Sequence, residues 1–269
     1  MLSLVFVRRV IYELFLKLHL LLSFITVTAL LIHLLPTKLG VSESVILGKF
    51  IFPLVAIGLW TTNAVFRLAR IVLKNFWGVR DPKTPQATVT HFGKNSKTEI
   101  DNALRIDIQL QKSMEMKPGQ YVYLFFSGMG IRHRFQAHPY VITWWDNSMK
   151  AMNISFLIQP QKGISHDLMT RNSIRRVVLD GPYGKDLHLE AFEAVVLIAK
   201  GIGIAGILPY IRHMVYRRVS EDKENAAYKR GLITRKIDVY WVLEDNSQDR
   251  WIKEWATELQ KKDSGKVSR

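Results

Sequence analysis

Two long apolar runs within the first 74 residues limit what this chain can fold into. Residues 18–35 are apolar apart from His19, His33 and small hydroxyl side chains. Carried back to Val10, the run makes a helix of 26 residues. At about 1.5 Å per residue that is ~39 Å, enough to cross a bilayer with tilt. It is too long for a signal-peptide core and has no small-residue cleavage site. Pro36 ends it, and after Gly40 a second apolar run occupies 45–66. Arg8, Arg9 and Lys17 flank one end of the pair, and Arg67, Arg70, Lys74 and Arg80 flank the other, while the loop between holds only Lys38 and Glu43. The positive flanks put both termini on the cytoplasmic side. The expectation is a membrane segment over 1–78, with helices at about 10–35 and 45–74 in contact with membrane lipid.

Charge enters the argument here. Lys plus Arg number 38 against 23 Asp plus Glu, a formal charge of +15. Such an excess suits nucleic acid, an anionic membrane or phosphorylated ligands. No basic helix with interleaved aromatics is present, and much of the charge flanks the apolar runs, so nucleic acid is excluded as a partner. The absence of Cys excludes disulfides and thiolate metal sites.

His19 and His33 are fourteen residues apart. On a helix they lie on one face, separated by about 21 Å along the axis, one near each leaflet. An imidazole in hydrocarbon is costly without a partner, so the pair is either two helix–helix hydrogen bonds or a functional pair.

Beyond the polar, proline-broken linker Arg80-Asp81-Pro82-Lys83-Thr84-Pro85, short alternating segments follow at 87–92, 103–110, 120–126, 139–145, 151–158 and 173–179. Six strands with Gly and Asn turns predict a small antiparallel barrel over 79–180. Within it, Pro139 bars helix, and Tyr140, Val141, Ile142, Thr143, Trp144 and Trp145 are β formers. Gly163-Ile164-Ser165 opens a short helix that Ser165 can cap, and free N–H groups there suit a pyrophosphate.

Gly181-Pro182-Tyr183-Gly184 reads as a tight turn. An apolar strand at 194–199 then runs into Lys200-Gly201-Ile202-Gly203 and a helix over 207–217. Strand, glycine turn and helix are the parts of a dinucleotide cradle, where glycines admit phosphate and the helix start supplies N–H groups. A second strand is expected at 238–243 and a further helix over 249–261. Only two strands of a doubly wound sheet are found in 181–269, a partial α/β domain.

His138-Pro139-Tyr140, taken with Gly163-Ile164-Ser165, Gly181-Pro182-Tyr183-Gly184 and the Gly201–Gly203 turn, resembles the fungal ferric-chelate reductases, relatives of the NADPH oxidases. The resemblance covers about residues 8 to 260. It implies a membrane protein with two transmembrane helices, an antiparallel FAD-binding barrel of ferredoxin-reductase type and a nucleotide-binding α/β domain. In that frame Tyr140 packs against the isoalloxazine, His138 lies near the FAD phosphates, and Pro139, Val141, Gly163, Ile164 and Ser165 complete the FAD site. Gly181, Pro182, Tyr183 and Gly184 stand where the nicotinamide of NADPH meets the flavin, with Gly201 and Gly203 at its phosphates. His19 and His33 match one axial ligand each for two b-type haems.

The implied activity passes electrons from NADPH through FAD and haem to a ferric chelate, at the plasma membrane, for iron uptake. No catalytic acid, base or nucleophile is needed. The alternatives are a superoxide-producing NADPH oxidase relative and a truncated, non-catalytic remnant. Four departures from the family pattern are visible. Val141 replaces a hydroxyl residue, Lys200 a small one, no Cys-Gly element closes over the nicotinamide, and the second axial His for each haem is missing. The expectation is therefore a chain truncated at both ends, completed by a second subunit if at all, and without ferric reduction on its own.

Overall fold

A computed structural model describes residues 12–34, 43–76, 87–93, 103–127, 138–146, 150–160, 164–169, 173–174, 176–219 and 233–263. The chain divides into two compact units, residues 1–68 and 69–269.

The first unit is helical. Helix α1 spans Tyr12–Leu34, and α2 spans Glu43–Asn75, its last turns belonging to the second unit. Among the described residues only Phe50–Asn75 is long and apolar enough to cross a membrane, and Leu18–His33 is a shorter apolar stretch. The hydroxyls of Ser23, Thr26 and Thr61 donate to the carbonyls of His19, Leu22 and Ile57, one turn back. They are satisfied within their own helices by carbonyls one turn back.

The second unit begins with two antiparallel sheets. The larger joins β1 (Ala87–Phe92), β2 (Ala103–Met114), β5 (Trp144–Trp145), β6 (Ala151–Ile158) and β7 (Ser173–Ile174) in the order β5-β6-β2-β1-β7. The smaller joins β3 (Tyr121–Ser127), β4 (His138–Val141) and β8 (Arg176–Tyr183) in the order β4-β3-β8. Inward side chains of both, among them Leu104, Ile106, Val122, Leu124, Phe126, Ile154, Phe156 and Val177, share one core. That is the alternation a half-buried sheet imposes.

Two expectations change here. The stretch 139–145 is not one strand. Ile142 N donates to Gln120 O at 3.0 Å, beside the small sheet, and Thr143 N donates to Ser155 O at 2.9 Å, on the large one. The chain switches sheets between these residues and so builds a corner of the sandwich. Gly181-Pro182-Tyr183 is likewise not a tight turn but the end of β8, with Tyr183 opposite Tyr121 and a bulge in the register. The last strand of this half thus runs three residues past 180.

The nucleotide half pairs β9 (Ala194–Lys200) in parallel with β10 (Lys236–Val242), joined through helix α4 (Ile204–Val219) and followed by α5 (Lys253–Asp263). (The short helix Ile164–Leu168 is α3.) One sheet face packs Val195 and Leu197 on Tyr210 and Met214 of α4. The opposite face leaves Val196 58%, Ile198 71%, Tyr240 59% and Val242 54% exposed, whereas parallel sheets are usually covered on both sides.

The halves are joined by aromatic rings around one cation. Trp144 stacks on Trp255, with centroids 5.6 Å apart at 12°. The fully buried Arg212 guanidinium lies 4.2 Å from the Trp145 ring centre and 4.1 Å from that of Tyr216. Desolvated cation–π contacts of this kind are worth about 2 kcal/mol or more.

The last turn of α2 is tied to β8. Asn75 Nδ2 donates to Ile71 O and Leu179 O, both at 2.8 Å, and its Oδ1 accepts from Leu179 N at 3.0 Å. The side-chain amide stands in for a neighbouring strand on the outer edge of β8. Lys74 Nζ donates to Gly181 O and Arg70 Nη2 to Tyr183 Oη. A further cluster ties the loop after β8 to α4. Arg217 Nη1 lies 2.7 Å from Glu190 Oε1, and Asp186 and His213 stand beside them. Burial alone would raise the Glu190 carboxyl, but its own backbone N–H and His188, with the charges of His213 and Arg217, hold it low. Burial pushes the His213 imidazole down to about 4, against the pull of Glu190 and Asp186.

Two outcomes follow. Asn75→Ala leaves both backbone groups of buried Leu179 unmatched and should cost about 2–5 kcal/mol, read as a lower urea midpoint of the full chain in detergent. An unchanged midpoint would show that water replaces the amide. His213 binds its proton more weakly folded than unfolded, so its stability is complete above the unfolded value of about 6.5 and falls as pH drops towards 4, by up to about 3 kcal/mol. Thermal midpoints measured across that window should fall less steeply for His213→Gln than for the parent chain.

Candidate functional site

The site grows from the two edges of the small sheet. One edge, β8, is closed by Asn75. The other edge is β4, which has no strand beyond it among the described residues. Pro139, which cannot donate to a ladder, is placed where a strand tolerates it. The side chains of β4 alternate: Pro139 and Val141 are exposed, His138 and Tyr140 half-buried. The Tyr140 ring meets Phe126 and Phe156 edge to face, with centroids 6.2 and 6.4 Å away. Burial raises its hydroxyl well above the ordinary tyrosine value, so the phenol stays neutral.

An edge strand with an aromatic ring, an imidazole and a row of backbone donors and acceptors fits a flavin, whose ring is flat and whose rim is polar. The hydroxyl absent at Val141 is not supplied by Thr143. That side chain is buried, donates to Val141 O at 3.4 Å and accepts from Leu157 N at 3.2 Å. Ser165 lies within the first turn of α3 rather than ahead of it. Gly163 falls outside the described residues, and Ile164 is described in its backbone only.

The segment Gly181–Gly184 lies against β3. Gly184 has φ +104°, and a Cβ there would come 2.5 Å from Gly119 O. The fold needs glycine at this point so that two backbones can touch. Tyr183 packs on Tyr121 and Tyr123, with centroids 5.9 and 5.8 Å away. Its hydroxyl donates to Asp180 Oδ1 at 2.6 Å and accepts from Arg70. The ring and hydroxyl of Tyr183 are therefore engaged with β3 and with the end of α2.

The second cradle lies at the carboxyl ends of β9 and β10. Gly201 has φ +50°, a conformation that glycine adopts without strain, and it opens a 3₁₀ turn that runs into α4. Trp241 Nε1 donates to Gly201 O at 2.9 Å and holds that turn from the neighbouring strand. Space beside Gly203 is open, since a Cβ would meet only Ala199 Cβ at 3.9 Å. Lys200 Nζ pairs with Glu244 Oε1 at 3.1 Å. A glycine turn at a parallel strand end, leading into a sixteen-residue helix, fits the phosphates of a dinucleotide.

His19 and His33 are both exposed on α1, and His19 stacks on Phe15 with centroids 6.0 Å apart. They are the only histidines in residues 1–68. Two imidazoles make half of the donor set for a pair of six-coordinate haems, so residues 1–68 alone do not complete a haem site.

Asn75 and Arg212 were not anticipated from the sequence. Arg212 had a signal: Ile204, Leu208 and Val215 mark the buried stripe of α4, and Arg212 falls on it. Asn75 had none beyond its place at the end of an apolar helix.

Residues 88–187 match the family described as FAD-binding domain, and residues 192–268 the ferric reductase NAD binding domain. Ferric reductase transmembrane component 6 of Saccharomyces cerevisiae is 26% identical over 78% of this chain and 27% of its own length. Ferric/cupric reductase transmembrane component 7 of the same organism is 25% identical over 94% of this chain and 36% of its own. The chain thus spans about a quarter to a third of the length of these curated relatives. Among solved structures, ferredoxin-NADP+ reductase from Plasmodium falciparum covers 73% of this chain and 72% of its own at 18% identity and TM-score 0.47, a likeness too loose to argue from. With both domain matches in series and these relatives along its length, the chain belongs to the ferric reductase family.

Proposed function

We propose that this chain is the electron-input portion of a membrane-bound ferric-chelate reductase. A reduced nicotinamide nucleotide gives a hydride to FAD, and electrons pass across the membrane to a ferric chelate outside the cytoplasm, in the service of iron uptake. Both apolar helices span the plasma membrane with their ends in the cytoplasm, and the two antiparallel sheets act as a flavin barrel. Bound FAD supplies the change from a two-electron donor to single-electron delivery. No acid, base or nucleophile is assigned to the chain.

One observation carries the reading: three parts converge on β8. It is a strand of the flavin half, the chain runs on from its end at Tyr183 into the nucleotide half, and its outer edge is bonded to Asn75, Lys74 and Arg70 at the end of the apolar helix. The residues have distinct tasks. Tyr140 and the open edge of β4 hold the isoalloxazine, His138 and Gly163–Ser165 hold the FAD phosphates, and Pro139 and Val141 complete the FAD site. Gly181–Gly184 orient the nicotinamide, and Gly201 and Gly203 hold the nucleotide phosphates. Haem b, with His19 and His33 as one axial ligand each, requires a second subunit or segment for the other two, and no step is routed through it here.

Purified full-length chain incubated with FAD should retain flavin absorbance after desalting. Tyr140→Ala should lose most of it while keeping the parent far-ultraviolet circular dichroism. Flavin bound as well by the variant would remove Tyr140 from the site, and none bound by the parent would remove the flavin. The same preparation reconstituted with haem should lack the sharp reduced bands of bis-imidazole iron, and a strong spectrum would mean that two copies supply the ligands to each other.

A further inference from the structure

The carboxyl ends of β9 and β10 hold an acidic pair, Glu244 and Asp245, which sequence alone leaves equivalent. The structure separates them. Asp245 caps the 3₁₀ turn Asn246–Trp251, its Oδ1 accepting from Ser247 N at 2.8 Å. Glu244 faces the other way, over the glycine turn. Its Oε2 lies 3.0 Å from where a Cβ on Gly201 would stand, so the carboxylate occupies the space beside that glycine. The position is held from both sides. Glu244 N donates to Oε1 of the fully buried Gln248 at 3.0 Å, and Trp241 anchors Gly201 itself. The Glu244 side chain remains 35% exposed, open to a ligand.

The two strands are parallel and in register, Val242 opposite Lys200. A ligand at such a sheet binds outside the strand ends, with its pyrophosphate at the glycine turn and its adenosine ribose towards the end of the neighbouring strand. Glu244 stands at that second position. A carboxylate there accepts from the ribose 2′- and 3′-hydroxyls, whereas a 2′-phosphate would set two negative charges against a third. Lys200 offsets part of that charge through Oε1, but its side chain is 69% exposed and screened by solvent.

We propose that Glu244 is the specificity residue of the nucleotide site and that it selects a dinucleotide with a free 2′-hydroxyl, NADH rather than NADPH. The proposal rests on the nucleotide-binding reading given under the proposed function and names its nucleotide, for which the family resemblance implied NADPH.

Full-length chain in detergent, loaded with FAD, is titrated calorimetrically with NAD+ and with NADP+. The parent should bind NAD+ at least about tenfold more tightly, the scale of a hydrogen bond to a charged group. Glu244→Gln, nearly isosteric at a half-exposed position, should bring the two towards parity, and Glu244→Arg should reverse their order. Asp245→Asn, which keeps the cap, should leave the ratio where it was. Equal or tighter NADP+ binding by the parent overturns the proposal, with Lys200 then the natural holder of the 2′-phosphate, and leaves the nucleotide site standing. A ratio moved as far by Asp245→Asn as by Glu244→Gln also overturns it. Binding of neither nucleotide overturns both the proposal and the nucleotide reading beneath it.

Discussion

A three-stranded sheet has two raw edges, and this protein treats them in opposite ways. The outer edge of β8 is completed by one side chain, the Asn75 amide, which offers both a donor and an acceptor to Leu179. Without it the buried peptide groups would be stranded away from water, at a cost similar to a lost hydrogen bond each. Because Asn75 is also the last residue of α2, the group that satisfies the sheet fixes where the apolar helix ends relative to it. The other edge, β4, is left available, and the residues that resemble a flavin site lie along it.

The junction between the flavin and nucleotide halves follows a different logic. Arg212 is a full charge with no water around it, which is costly unless its surroundings compensate. The rings of Trp144, Trp145 and Tyr216 do so, together with Asp146 O, which accepts from Nη2 at 3.2 Å. Two of these rings come from the corner where the chain passes between sheets. The corner therefore serves twice, closing the sandwich and presenting tryptophans to α4. The spacing between flavin edge and nucleotide turn is set by packed rings rather than by a hinge.

Much of this was legible in the sequence. Hydrophobic run length gave the helices, and alternation gave most strands to within a few residues, because both report burial on one face. Segments 138–145 were harder. Tyr140 to Trp145 are all β formers, and nothing local says that the partner changes from Gln120 to Ser155 after Ile142. Gly181-Pro182-Tyr183 misled in the opposite sense, since its composition is that of a turn while its pairing with Tyr121 makes it strand. The flavin and glycine motifs could be placed on β4 and after β9 by resemblance. The place of Glu244 beside Gly201 could not, since it depends on parallel register between strands 36 residues apart, from Lys200 to Lys236.

The uncovered face of the two-stranded sheet has a practical side. Val196, Ile198, Tyr240 and Val242 form an apolar surface about two residues wide, on strands that among the described residues pair only with each other. Water wets such a surface poorly, and its area lies next to a glycine turn and a helix start that are strongly polar. Beside the apolar helices, which detergent covers, this face is a second surface through which folded copies can adhere to one another. Association of the detergent-solubilised chain on concentration would then arise at β9 and β10 with the core intact.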